Sequence, residues 1–135
     1  IRKQMQNSVQ HHAGIFRDAP TLNGGLTVLD VLWQQFRQSL RVRERGLIWN
    51  NDLIDALELD NLMRHSVAVV ASALYRRESR GAHFRTDYPV RDDDHWLKHT
   101  LFLMDEDGKF RLSERPVCLD AGMDAPSFAP ETRKY

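Results

Sequence analysis

The densest run of residues able to do chemistry is Arg76-Arg77-Glu78-Ser79-Arg80-Gly81-Ala82-His83, continued by Phe84-Arg85-Thr86-Asp87-Tyr88-Pro89. Four guanidiniums with a glycine and an imidazole can bind a carboxylate, or hold a neighbouring domain through forked ion pairs. No general base, electrophile or cofactor cradle accompanies them. Docking therefore ranks above catalysis, with plain helix capping between the two.

Other candidate chemistries are weaker. His95 and His99 stand four apart near three carboxylates, a spacing that suits a metal on a helix face. On a strand the same spacing separates them by about 13 Å, too far for one ion. His11-His12 are neighbours that point in different directions on a helix. Asp105, Asp107 and Gly108 resemble part of a calcium loop, but the first Asp of that pattern would fall at Leu103, so a turn is the better reading. Cys118 lies in a Pro-containing tail with nothing in view to lower its pKa. Asn23-Gly24-Gly25 lacks the further glycines and the preceding strand of a phosphate loop. No catalytic, cofactor-binding or metal-ligating residue is assigned in this chain.

These residues need elements to position them. Ile1, Met5, Val9, Ala13 and Phe16 recur at steps of three or four, predicting a first helix stopped by Asp18-Ala19-Pro20. Asn23-Gly24-Gly25 reads as a flexible turn. Leu26, Leu29, Trp33, Phe36 and Leu40 then predict a second helix running to about Arg43, with Gly46 at its end and Arg37, Arg41, Arg43 and Arg45 on a solvated basic face. Asn50 and Asn51 are candidate caps of a third helix, carrying Leu53, Leu57, Leu62, Val67, Val70, Ala71 and Leu74 and closed by a left-handed Gly81.

Beyond Gly81, Tyr88-Pro89 and the acidic run Asp92-Asp93-Asp94 predict a loop. Trp96 to Met104 and Lys109 to Arg115 read as a β-hairpin about Asp105-Glu106-Asp107-Gly108. Pro116, Pro126 and Pro130 predict an extended tail. The expected fold is mainly α: an antiparallel three-helix bundle of the spectrin-repeat kind over 1–81, then loop, hairpin and tail over 82–135, together one domain.

Composition narrows the function classes. The 135 residues fit one domain of ordinary size, 19 basic against 19 acidic side chains disfavour a dedicated nucleic-acid binder, and 41% hydrophobic residues suffice for a modest core. No apolar run approaches the roughly 18 to 20 residues that span a bilayer. A lone cysteine makes a reducing compartment the default. Ile1 with no preceding capping residue gives the expectation of a piece of a longer protein.

The arginine cluster is also where a resemblance enters. Arg76 to His83, then Asp87-Tyr88-Pro89, Arg91-Asp92-Asp93 and Trp96-Leu97-Lys98-His99-Thr100, closely resemble the C-terminal part of the succinate dehydrogenase flavoprotein subunit. The match extends upstream through Leu57 to Leu62 and the opening Met5, His12, Phe16 and Arg17, and downstream through Arg115-Pro116-Val117 to Pro130, Arg133 and Tyr135. The chain is identified as a member of the succinate dehydrogenase and fumarate reductase flavoprotein family. Trp96 to Thr100 and the Tyr135 ending favour succinate dehydrogenase over fumarate reductase and aspartate oxidase.

The resemblance implies a helical domain following the flavin-binding and capping domains of a subunit that oxidises succinate with covalently held FAD. The family's flavin and catalytic motifs lie in those earlier domains, so FAD is expected in the parent and none in these residues. The implied partners are the flavin-binding and capping domains and the iron–sulphur subunit, without nucleic acid or direct membrane insertion. The implied location is the cytoplasmic face of a bacterial inner membrane or the matrix side of a mitochondrion. Composition and resemblance together make Arg76, Arg80, Gly81, His83, Arg85, Asp87, Arg91, Trp96 and His99 candidate interface residues. A free-standing helical interaction module is the rival reading.

Overall fold

The structure, a computed structural model, describes residues 1–43, 46 and 48–119. Its long elements are helices α1 (Arg2–His12), α2 (Ala19–Ser39) and α3 (Asn51–Tyr75). Two-residue strands β1 (Phe16–Arg17) and β2 (Phe84–Arg85) pair in parallel, a single turn α4 (Asp93–Trp96) follows, and β3 (Lys98–Met104) pairs antiparallel with β4 (Phe110–Pro116). The architecture is mainly helical with a small hairpin, and α1, α2 and α3 pack against one another.

Their contact buries Met5 and Ala13 of the first helical segment, Leu22, Leu29, Leu32 and Trp33 of α2, and Met63, Val67, Val70 and Ala73 of α3. The α3 set recurs at steps of three and four, and Leu22, Leu29 and Trp33 of α2 at seven and four, so one stripe of each helix leaves water. The Ser66 hydroxyl, buried in this core, lies 2.7 Å from the Leu62 carbonyl and 2.9 Å from the Met5 sulphur. Phe102 and Met104, alternate residues of β3, lay the hairpin on the same core.

Helix boundaries differ from the periodicity in instructive ways. The first helix ends at His12, and Phe16 is a β1 residue, 72% exposed. Pairing with β2 overrides the helical spacing there. Asp18-Ala19-Pro20 opens α2: Asp18 Oδ1 accepts the Thr21 N–H at 2.8 Å, and Pro20 sits in the first turn, where its missing N–H costs nothing. Asn23-Gly24-Gly25 is therefore helix rather than a turn. Gly25 is there for packing, since an added Cβ would lie 2.7 Å from the His12 Cβ.

α2 stops at Ser39, short of Arg43, because the Arg41 guanidinium takes the Gln38 and Leu40 carbonyls at 3.3 and 2.8 Å. Arg41 and Arg43 thus lie beyond the helix, and Arg45 lies outside the described residues. Asn50 caps α3, its Oδ1 accepting the Leu53 N–H at 2.8 Å. The helix ends at Tyr75, not at Gly81.

The acidic run is not all loop, because Asp92 caps the turn α4 through the His95 N–H at 3.0 Å. The hairpin forms about the expected turn, but Trp96, expected to open its first strand, ends α4 instead, and the strand starts at Lys98. The turn is closed by the Asp105 carboxylate, which accepts the Lys109 N–H at 2.8 Å. Of the tail, residues 120–135 lie outside the described residues, including Pro126, Pro130, Arg133 and Tyr135.

Candidate interface site

The site is assembled where the end of α3, the loop to α4 and the start of β3 meet. Arg85, on β2 beside Arg17 of β1, is 1% exposed. Its Nε and Nη2 donate to Asp87 Oδ1 and Oδ2 at 2.7 and 2.6 Å, a forked pair. Its Nη1 donates to the carbonyls of Ala73 and Leu74 at 2.9 and 3.0 Å, where the macrodipole of α3 gathers negative charge. Asp87 Oδ2 also accepts the Ala19 N–H at 3.0 Å, at the positive end of α2. One ion pair thus joins the ends of two helices. The hydrogen bonds from Arg85 hold the Asp87 carboxyl down at about 2.

A second knot surrounds Glu78, which is fully buried. Arg80 grips it through Nε to Oε1 at 2.8 Å and Nη2 to Oε2 at 3.0 Å, Arg76 donates to Oε1, and the Asp92 N–H reaches Oε2 at 3.0 Å. Burial pushes the Glu78 carboxyl up, but these donors outweigh it and hold it below the usual range. Arg80 Nη2 also donates to Asp93 Oδ1 at 2.6 Å, and Arg91 forks onto Asp93 from the other side. Bonds from Arg91 and then Arg80 set Asp93 at about 2.

Gly81 sits in the tight turn between Arg80 and His83, which exchange both backbone hydrogen bonds at 2.8 and 3.0 Å. Its φ of +59° is the left-handed conformation expected for it, used in a turn instead of a helix cap. The turn aims His83 back at the helix. Nε2 of His83 lies 3.3 Å from the Arg76 carbonyl and must donate, while Nδ1 accepts from Arg17 Nη1 at 3.0 Å. Burial first, then the charges of Arg17, Arg85 and Arg76, keep the imidazole below its ordinary pKa. The ring is neutral with its proton on Nε2.

An open groove of about 450 Å³ runs above these knots. Arg76, Arg80, His83, Trp96 and His99, five of the nine candidates, line it together with Arg17. Arg76 Nη1 donates to the Trp96 carbonyl at 3.0 Å, and the Trp96 ring takes Lys98 Nζ at 4.9 Å and the Tyr75 ring edge-on at 5.7 Å. Arg85 and Asp87 lie in the clamp, and Arg91 meets Asp93 instead of its sequence neighbour Asp92. His95 and His99 fall on different elements, α4 and β3, and among the described residues no group of three or more His, Cys, Asp or Glu has metal-site geometry.

Glu78, Asp93 and Arg17 are not among the interface residues the sequence points to. An acid enclosed by arginines in Arg77-Glu78-Ser79-Arg80 was the available signal for the first. Arg17 carries no local signal, because β1–β2 pairing alone brings it to residues 66 positions away.

With this geometry in view, residues 2–135 match the family described as fumarate reductase flavoprotein C-term. The chain belongs to this family. It is 40% identical over 134 residues to the succinate dehydrogenase flavoprotein subunit of Rickettsia conorii, covering 99% of this chain and 22% of that one. It is also 40% identical over 136 residues to the mitochondrial succinate dehydrogenase [ubiquinone] flavoprotein subunit of Oryza sativa subsp. japonica, covering 100% and 21%. A solved structure of a variant E. coli quinol fumarate reductase superposes with a TM-score of 0.82 at 30% identity, over 93% of this chain and 22% of that one. The chain spans about a fifth of the length of the flavoprotein relatives it matches. Flavoprotein C-terminal residues thus form the clamp, the Glu78 knot and the groove described above.

Proposed function

We propose that the chain is the C-terminal structural and interface domain of an FAD-containing succinate dehydrogenase flavoprotein subunit. In this reading the whole subunit oxidises succinate to fumarate and passes electrons through an iron–sulphur subunit to quinone. It works at the cytoplasmic face of a bacterial inner membrane or the matrix side of a mitochondrion. No helix among the described residues is long and apolar enough to cross a membrane, which fits attachment through partners. At the same 40% identity, succinate dehydrogenase subunits match 99–100% of the chain and a fumarate reductase flavoprotein subunit of Mycobacterium tuberculosis matches 88%, which supports succinate oxidation by extent of match and not by identity.

The three mutually packed helices are read as an antiparallel bundle over 1–81, with the loop, hairpin and tail of 82–135 packed on the bundle or a partner. FAD belongs to the flavin-binding and capping domains in the remainder of the subunit. The residues here do not fit its pyrophosphate: Gly24 and Gly25 lie inside α2, so their N–H groups belong to the helix ladder, and the space beside Gly25 is filled by His12. No step of the reaction is routed through this domain.

The observation that carries the docking role is the convergence of Arg76, Arg80, His83, Trp96 and His99 on one open groove. An aromatic ring among oriented cations is the composition of an interface anchor. In the intact complex, Arg80→Ala is expected to lower both assembly of the enzyme and succinate-to-quinone electron transfer. Unchanged assembly and transfer would overturn the docking role.

A further inference from the structure

Arg17 brings to the groove a charge that no carboxylate among the described residues balances. Arg76 and Arg80 meet Glu78, Arg80 also meets Asp93, and Lys98 meets Glu114. Arg17 donates instead to two neutral acceptors, the Gly14 carbonyl from Nε at 2.7 Å and His83 Nδ1 from Nη1 at 3.0 Å. It is partly buried, and that burial lowers its pKa with nothing opposing it. A desolvated cation without an anion is costly, so such a group persists where an anion completes it.

The groove contains no Asp or Glu, and it contains a second unfinished group. The Thr100 hydroxyl, on β3, is buried and has no hydrogen-bond partner among the described residues. A guanidinium with Nη2 to spare and an unused hydroxyl lining the same groove are donors of the kind a carboxylate accepts from. The groove is open, and Val69, Ala73 and Leu97 contribute apolar lining, which suits a polypeptide laid along it more than an enclosed small ion.

We propose that Arg17 and Thr100 receive the carboxylate of an Asp or Glu from the remainder of the flavoprotein subunit, seating this domain on the body of that subunit. The proposal rests on the reading of the chain as one domain of a longer subunit, whose relatives extend over nearly five times its length. The neutral tautomer of His83 is part of the device, since it holds Arg17 in place without cancelling its charge.

The test uses the intact subunit. Arg17→Lys retains the charge and supplies an amine, and a water-soluble carbodiimide joins an amine to a carboxylate in contact with it. Peptide mapping is expected to show position 17 linked to an acidic residue of the remainder of the subunit. A link to an acid within these 135 residues, a link to another subunit, or no link would overturn the proposal. Should Arg17→Lys fail to fold, phenylglyoxal labelling of the unaltered subunit decides: Arg17 is protected while exposed Arg37 reacts, and equal reaction overturns the proposal. If limited proteolysis of the connecting peptide releases this domain freely, the broader domain reading fails. If the parts stay together without a link at position 17, only the groove assignment fails.

Discussion

Arg85 and Asp87, two residues apart, form one forked ion pair that ties the carboxyl end of α3 to the amino end of α2. Each charge lies at the helix end whose dipole favours it, so the pair acts on two helices at once. Arg85→Met would strand Asp87 and uncover the last carbonyls of α3. Only the arginine of the pair is buried and water can reach the released carboxylate, so the loss is that of the charged hydrogen bonds given up, about 1.5–3 kcal/mol. Denaturant unfolding of the intact subunit should register a loss of that order, and Arg85→Lys, which lacks the fork, should recover only part of it. A loss near zero would mean that the clamp contributes nothing.

Acid should dissolve these knots. Asp87 and Asp93 are held at about 2, by Arg85 and by Arg91 with Arg80 respectively, and Glu78 is held below its usual range. Folded pKa values below the unfolded ones mean that the unfolded chain binds more protons as pH falls. The stabilisation is complete above about pH 4 and is lost as pH drops toward 2. Asp87→Asn should flatten that acid limb in a pH series of thermal unfolding. An unaltered limb would contradict the clamp.

His83 should titrate below its ordinary value. Burial and the facing charges of Arg17, Arg85 and Arg76 disfavour its protonated form, so the folded state binds fewer protons than the unfolded one below about pH 6.5. Stability therefore declines as pH falls from about 6.5 through the folded pKa. Exchange of the imidazole C2 hydrogen, followed by mass spectrometry, reads that pKa directly. A midpoint at or above 6.5 would contradict the neutral Nε2–H tautomer.

Two glycines make opposite demands. At Gly81 an added Cβ meets nothing within 4 Å, so the cost of Gly81→Ala comes from φ +59° alone, about 1–2 kcal/mol. At Gly25 the conformation is helical and alanine is the better helix former, yet the Cβ would lie 2.7 Å from that of His12. Gly25→Ala should therefore destabilise despite its propensity. A stabilised Gly25→Ala protein would show that the contact between His12 and α2 yields easily.

What was legible in the sequence was whatever is local. The spacing of Leu29, Trp33 and Phe36, the cap at Asn50 and the hairpin turn at Asp105 each follow from residues a few positions apart. Asp18-Ala19-Pro20 was ambiguous because a proline that stops one helix also opens the next, and only the Asp18 cap fixes which. The end of α3 was hidden because its closing donors come from Arg85, ten or more residues downstream. Arg76, Arg80 and Arg85 were legible as a polar cluster, but their division among Glu78, Asp93 and Asp87 depends on a folded loop. Arg17 reaches the groove only through the pairing of β1 with β2.

The most direct measurement is to probe extracts of the source cells with an antibody against this chain, then examine the detected band for flavin fluorescence after denaturation. A flavin-bearing band several times heavier than 15.7 kDa, in the membrane fraction, is the result expected for a domain of a succinate dehydrogenase flavoprotein. A soluble, flavin-free band near 15.7 kDa would contradict it and leave a free-standing interaction module.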